Sequence, residues 1–136
     1  MTEEELKEIY AKTKTIAVVG VSTDPSKPSH EIPAYLQAQG FRVIPVTPKG
    51  GEILGEQAVT SLSEITEPVD VVDVFRPSEE TPDIAREAAK IGAKVLWLQQ
   101  GISSDEAERI GQEAGMTVVM DRCMRATHRA LGLEKK

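Results

Sequence analysis

The chain has 136 residues, a net charge of −6, 40% apolar and 28% charged residues, and one cysteine. That length suits one domain with its own core, the lone Cys123 excludes an intrachain disulfide, and the acidic balance excludes a nucleic-acid surface built on a basic field. No apolar run approaches the ~20 residues that span a bilayer, and the acidic start Met1-Thr2-Glu3-Glu4-Glu5 is unlike a secretory signal, so a cytoplasmic protein is expected.

Residues 3–12 read as a helix, with Thr2 as N-cap and Glu5 closing a capping box. Thr15-Ile16-Ala17-Val18-Val19-Gly20 then gives a short β-branched run, a first buried strand. Residues 29–39 form a helix stopped at Gly40. The second strand, residues 42–46, contains Pro45, which cannot donate to a ladder and marks an unpaired position. A short helix at 61–65 precedes a third strand at 69–75. A helix at 80–91 ends at Gly92, and residues 94–98 make a fourth strand. A helix at 104–114 ends at Gly115, a fifth strand covers 117–120, and a last helix runs from Cys123 to Leu131.

Strict alternation of strands and helices predicts an α/β fold. The expectation is a single domain over residues 1–136, with a core at about 10–126, built as a Rossmann-like doubly wound parallel sheet of five strands in the order 3-2-1-4-5. In such a sheet the ligand lies beyond the carboxyl ends of the strands where their order reverses, here between strands one and four.

The loops at those ends carry the candidate residues. After strand one, Gly20 permits close backbone approach to a phosphate, and Val21, Ser22, Thr23, Lys27 and Ser29 surround it with main-chain, hydroxyl and amine donors. The three-glycine dinucleotide fingerprint is absent, and a polar loop that merely caps a helix reads equally well. After strand two, Thr47-Pro48-Lys49-Gly50-Gly51 offers a cation where NAD-binding domains place a carboxylate. Lys49 therefore suits a ribose phosphate, as in NADP or coenzyme A, or is a solvated surface charge. After strand three, Arg76 can pair with a phosphate, or instead with Asp73, Glu79 or Glu80. Leu98, Gln99 and Gln100, at the end of strand four, offer amides to an adenine or a pantetheine arm, or cap the next helix.

After strand five comes the lone thiol. Cys123, flanked by Arg122 and placed before a helix N-terminus, is in a setting that favours thiolate, so redox exchange is one reading and a buried, inert residue the other. Cys123 and Arg129 also have the spacing of a cysteine-dependent phosphatase loop, but the residues between them include no glycine. His30 and His128 lack partners at metal-ligand spacing and read as structural or surface residues; no metal is expected.

Taken together, Val19-Gly20-Val21-Ser22, Pro25-Ser26-Lys27-Pro28-Ser29, Val43-Ile44-Pro45-Val46-Thr47-Pro48-Lys49, Asp73-Val74-Phe75-Arg76, Leu96-Trp97-Leu98-Gln99-Gln100-Gly101 and Val119-Met120-Asp121-Arg122-Cys123 resemble the small CoA-binding protein family. That family is similar to the CoA-binding domain of the succinyl-CoA synthetase alpha subunit. The resemblance spans residues 10–126 and implies a Rossmann-like domain that binds coenzyme A without an assigned catalytic residue. It implies that Gly20 to Thr23 form the loop holding the cofactor, that Lys49 is the cation after strand two, and that Leu98 to Gln100 line the end of strand four. The synthetase's phosphohistidine domain has no counterpart here, and Thr23-Asp24-Pro25 has less glycine than the synthetase's first loop. The expected function is non-catalytic binding of coenzyme A or a short acyl-CoA, with a homodimer or another protein as partner. The alternatives are an NADP-dependent oxidoreductase and a nucleotide-sensing regulatory subunit.

Overall fold

Helix α1 (Glu3–Lys12) opens in the capping box its sequence predicts. Thr2 Oγ1 accepts from the main-chain N–H of Glu5 at 3.1 Å, and Glu5 Oε1 accepts from that of Thr2 at 3.2 Å. The computed structural model describes residues 1–135. Five parallel strands make the main sheet: β1 (Thr15–Val19), β2 (Arg42–Val46), β5 (Val71–Val74), β6 (Val95–Leu98) and β7 (Thr117–Val119). The connecting helices are α2 (Pro28–Ala38), α3 (Thr81–Lys90) and α4 (Asp105–Glu113), and α5 (Met124–Ala130) follows the last strand. The expected α/β class and its five parallel strands are therefore present.

The strand order differs from the expected one. It is β2-β1-β5-β6-β7, so the third sheet strand lies beside the first rather than outside the second. Pro45 explains why. The carbonyl of Val46 accepts from Gly20 N–H at 3.2 Å and so faces β1, whereas the carbonyl of Pro45 accepts from Val59 N–H at 3.0 Å on the other side. Main-chain groups alternate sides along a parallel strand, so the Pro45 nitrogen lies on the outer edge, where no ladder partner is needed. An inner place for β2 would require an N–H that Pro45 lacks. In contrast, all four residues of β5 are buried, as a central strand covered on both faces should be. The reversal of strand order accordingly falls between β1 and β5.

Two helical layers cover the sheet. Leu6, Ile9 and Tyr10 of α1, Ile32 and Leu36 of α2, and Met124 of α5 pack on one face with Ile16, Val18, Val71 and Trp97. Ile84, Ala85 and Ala88 of α3 and Ala107 of α4 pack on the other with Ala17, Val72, Val74, Leu96 and Leu98. Complete burial of a side chain such as Leu36 stabilises the fold by about 1.5–3 kcal/mol. Gly111 lets α4 lie flush on β7, since a Cβ there would meet Val118 Cγ2 at 2.5 Å.

A small hairpin, β3 (Glu52–Ile53) and β4 (Glu56–Gln57), interrupts the expected loop after β2. Its two-residue turn, Leu54-Gly55, has φ of 57° and 74°, the double positive φ of a type I′ hairpin. Gln37 Nε2 donates to the Leu54 carbonyl at 2.9 Å and ties the hairpin to α2.

Candidate functional site

Because the five strands are parallel, their carboxyl ends share one rim. Gly20 occupies its centre, at the end of β1, with φ of +89°. A Cβ there would stand 2.9 Å from Arg76 Cδ and 3.3 Å from the main-chain carbon of Phe75. The glycine thus supports both a left-handed backbone and the close approach of the loop after β5. The observed strand order has a direct consequence for the site: Arg76 neighbours Gly20 across the β1–β5 switch point, not across β2.

The loop from Gly20 to α2 is internally braced. Asp24 Oδ1 accepts from both the main-chain N–H and the hydroxyl of Ser26, at 3.0 and 2.7 Å, and these bonds hold its carboxyl below the usual range. The hydroxyl of Ser22 accepts from Asp24 N–H at 3.0 Å. Lys27 serves as N-cap of α2 without a side-chain hydrogen bond, and Pro28 fills the first helical position. The main-chain N–H of His30 and of Glu31 both donate to the Lys27 carbonyl, whereas that of Ser29 has no partner among the described residues. This N-terminus thus leaves one main-chain donor open at the rim.

On the β2 side, Thr47-Pro48-Lys49-Gly50 is a tight turn closed by Gly50 N–H to the Thr47 carbonyl at 3.0 Å, with proline at its second position. Thr47 is buried, whereas Pro48 and Lys49 are exposed, and the ammonium of Lys49 forms no ion pair among the described residues. On the β5 side Arg76 is exposed and paired in a fork with Glu80, Nε to Oε1 at 3.1 Å and Nη2 to Oε2 at 2.8 Å. Of the carboxylates considered for it, Glu80 is the partner.

The β6 side joins the rim through cross-links. Ser103 N–H donates to Ser78 Oγ at 3.1 Å, Gly101 N–H to Asp121 Oδ1 at 2.6 Å, and Arg122 N–H to the Leu98 carbonyl at 3.3 Å. Gln100 is exposed, but Val21, Leu98 and Gln99 are buried. Val21 and Leu98 pack into the two cores, so both offer a ligand only main-chain groups. Gln99 points inward, where Nε2 donates to Asp73 Oδ1 and Oε1 accepts from Met124 N–H at 3.3 Å. Cys123, partly buried, is the N-cap of α5, its sulfur accepting from Ala126 N–H at 3.4 Å. Trp97 Nε1 donates to the Arg122 carbonyl at 2.8 Å and draws this turn back over β6. His128 is structural: it is buried, its Nδ1 is hydrogen-bonded to the Tyr35 hydroxyl at 2.7 Å, and burial pushes its pKa down.

Asp73 went unassigned in the sequence except as a partner for Arg76. It is fully buried in the sheet centre, and its Oδ2 has no hydrogen-bond partner among the described residues. A charged residue inside an otherwise apolar strand, Val71-Val72-Asp73-Val74, was the visible signal.

The fold and rim define a Rossmann-like α/β domain, with a glycine loop at the switch point flanked by loops that carry Arg76 and Lys49. The chain belongs to the CoA binding domain family, which it matches over residues 14–129. It is 45% identical over 124 residues to the uncharacterized protein YneT of Bacillus subtilis, covering 91% of this chain and 92% of that one. A solved structure from Thermus thermophilus superposes with a TM-score of 0.92 at 45% identity, covering 96% of this chain and 99% of the other. The acetate–CoA ligase [ADP-forming] II subunit alpha of Pyrococcus furiosus is 27% identical over 126 residues. That match takes in 85% of this chain but only 28% of the ligase subunit.

Proposed function

We propose that this protein binds coenzyme A or a short acyl-CoA at the rim around Gly20 and carries out no reaction on it by itself. The observation that carries this reading is the placement of Gly20 between two exposed cationic loops, with Arg76 against it on the β5 side and Lys49 on the β2 side. The residues present suit the cofactor. The missing Cβ at Gly20 lets Arg76 lie against the loop as a partner for the pyrophosphate, and the α2 N-terminus faces the same rim. Among the described residues the Ser29 N–H has no partner and Lys49 no ion pair, which leaves Lys49 available for the 3′-phosphate. Ser22, Thr23, Lys27, Pro48 and Gln100 are the further contacts of this reading, with Val21, Leu98 and Gln99 contributing main-chain groups. Membership of the CoA binding domain family supports the same ligand.

Cys123 lies on this rim and extends the reading to redox exchange. Its thiolate would attack one sulfur of a coenzyme A disulfide, forming a mixed disulfide and releasing one coenzyme A thiolate. A coenzyme A-sized mass gain that dithiothreitol removes and Cys123→Ser prevents is the expected result. Native protein of unchanged mass would dismiss it.

Titration calorimetry with coenzyme A, dephospho-CoA and NADP tests the principal reading. Binding of coenzyme A, weaker binding of dephospho-CoA and none of NADP is expected. NADP binding without coenzyme A binding would overturn the assignment in favour of a nicotinamide site.

A further inference from the structure

Asp73 is the one buried acid among the described residues, and its surroundings connect it to the rim. It pairs in register with Val18 on β1 and Trp97 on β6, so its carboxyl projects into the layer covered by α1, α2 and α5. Oδ1 accepts from Gln99, and Gln99 accepts in turn from the N–H of Met124, the first residue of α5. One carboxyl thereby reaches, through a single side chain, both the β6 turn and the start of α5.

We propose that Asp73 is a positioning residue for the coenzyme A site: through Gln99 it holds the β6 turn against α5, and loss of its proton releases that turn. The inference rests on the reading that this rim binds coenzyme A.

Oδ2 is sealed from solvent and has no donor, so a carboxylate here would carry unsolvated charge. Burial raises the Asp73 pKa from 3.8 to about 7, against the opposing hydrogen bond from Gln99. Among the described residues no cation is paired with Asp73 to offset that cost. From α1 comes Tyr10, its phenol pushed well up by burial and then by the charge of Asp73. Cys123 and Arg122, before α5, bear on Tyr10 in the same wall, as does Tyr35 of α2. His128 of α5 packs edge-on to Tyr10 at 5.0 Å and is itself pushed down by burial. Once Asp73 ionises, the bond from Gln99 favours the charge on Oδ1 but leaves Oδ2 bare, so relief must come from water, admitted where the Gln99 turn parts from β5. That turn carries the Leu98 carbonyl that holds Arg122, so its release loosens the rim on the β6 side.

Coenzyme A affinity measured by calorimetry from pH 5.5 to 8.5, for wild type and Asp73→Asn, tests this. The variant keeps an acceptor for Gln99 and cannot ionise. Where binding needs the protonated form, each pH unit above the transition lowers affinity by up to about tenfold. Relative to the variant, wild type should therefore lose up to about 25-fold between pH 6.5 and 8.5. A ratio constant across the range overturns the proposal, and because both proteins meet the same ligand, titration of coenzyme A itself cancels. Should the variant fail to fold, nuclear magnetic resonance of wild type decides. The Gln99 side-chain amide and the Met124 N–H should titrate together with a midpoint near pH 7, and resonances that do not titrate overturn the idea. Absence of coenzyme A binding at every pH would refute the functional reading itself, an outcome distinct from binding with a constant ratio.

Discussion

The main-chain N–H of Ser22 donates to the carbonyl of Ser29 at 3.1 Å, and that carbonyl is free for it because Pro33, four residues along α2, has no N–H to offer. A residue that weakens the helix interior therefore fastens the loop that begins at Gly20. Replacing Pro33 by alanine would restore the helical donor in competition with Ser22. Helix propensity would favour the variant by up to about 3 kcal/mol, while the loop would lose its clamp. Thermal unfolding should rise or hold, and coenzyme A affinity should fall severalfold. Unaltered affinity would show that the loop's internal Asp24 and Ser26 bonds suffice.

Gly20 is a position where a side chain should harm binding severely while the fold survives. Gly20→Ala forces a left-handed φ on a residue with a Cβ and pushes aside Arg76 and the Phe75 main chain. A stability loss of about 1–3 kcal/mol is expected. Far-ultraviolet circular dichroism should remain native, with coenzyme A affinity down at least about tenfold, as two charge-assisted phosphate contacts shift. A variant that binds normally would move the pyrophosphate away from this loop.

Lys49→Ala separates the phosphates. A lysine on a phosphate is worth about 1.5–3 kcal/mol, roughly tenfold to a hundredfold in affinity. The loss should appear with coenzyme A and not with dephospho-CoA, compared by calorimetry at fixed ionic strength. Equal effects on both ligands would detach Lys49 from the 3′-phosphate and leave the site in place.

Arg76 is already engaged, and Glu80 competes with any phosphate for it. Both side chains are about half exposed, so the ion pair itself contributes about 0–1 kcal/mol to folding. Glu80→Gln should leave the melting temperature nearly unchanged and raise coenzyme A affinity severalfold. Lower affinity in that variant would mean that Glu80 orients Arg76 for the ligand rather than withholding it.

Global stability should carry the signature of Asp73 even without ligand. Its pKa is higher in the folded chain than the ordinary 3.8, so the folded state binds the proton more tightly. The stabilising effect is complete below about pH 4, declines as pH rises and is gone once pH passes the folded value of about 7. Over that interval the change is on the order of 4 kcal/mol. Urea unfolding at pH 5 and pH 8 should show wild type less stable at the higher pH, with a smaller difference in Asp73→Asn. Identical pH slopes in the two proteins would place the carboxyl in contact with water.

What the sequence determined by itself was the local and periodic content. The Thr2–Glu5 capping box, the β-branched runs of β1 and β5, the glycine stops after α2, α3 and α4, and the rim loops with Gly20, Lys49 and Arg76 are written in nearest neighbours and short spacings. Tertiary structure decided which strand lies beside which. Apolar runs state that a strand is buried without naming its neighbour, and the deciding detail was the direction in which Pro45 faces. The Leu54-Gly55 hairpin was also illegible, because leucine is an unusual residue at positive φ and the turn is held partly by Gln37 from α2. Gln99 had the composition of a ligand amide but lies inward, since a buried carboxyl needed a donor more than the rim did. Arg76 meets Gly20 for the same class of reason: loop chemistry is local, but adjacency across a parallel sheet depends on hydrogen bonds between residues more than fifty positions apart in the chain.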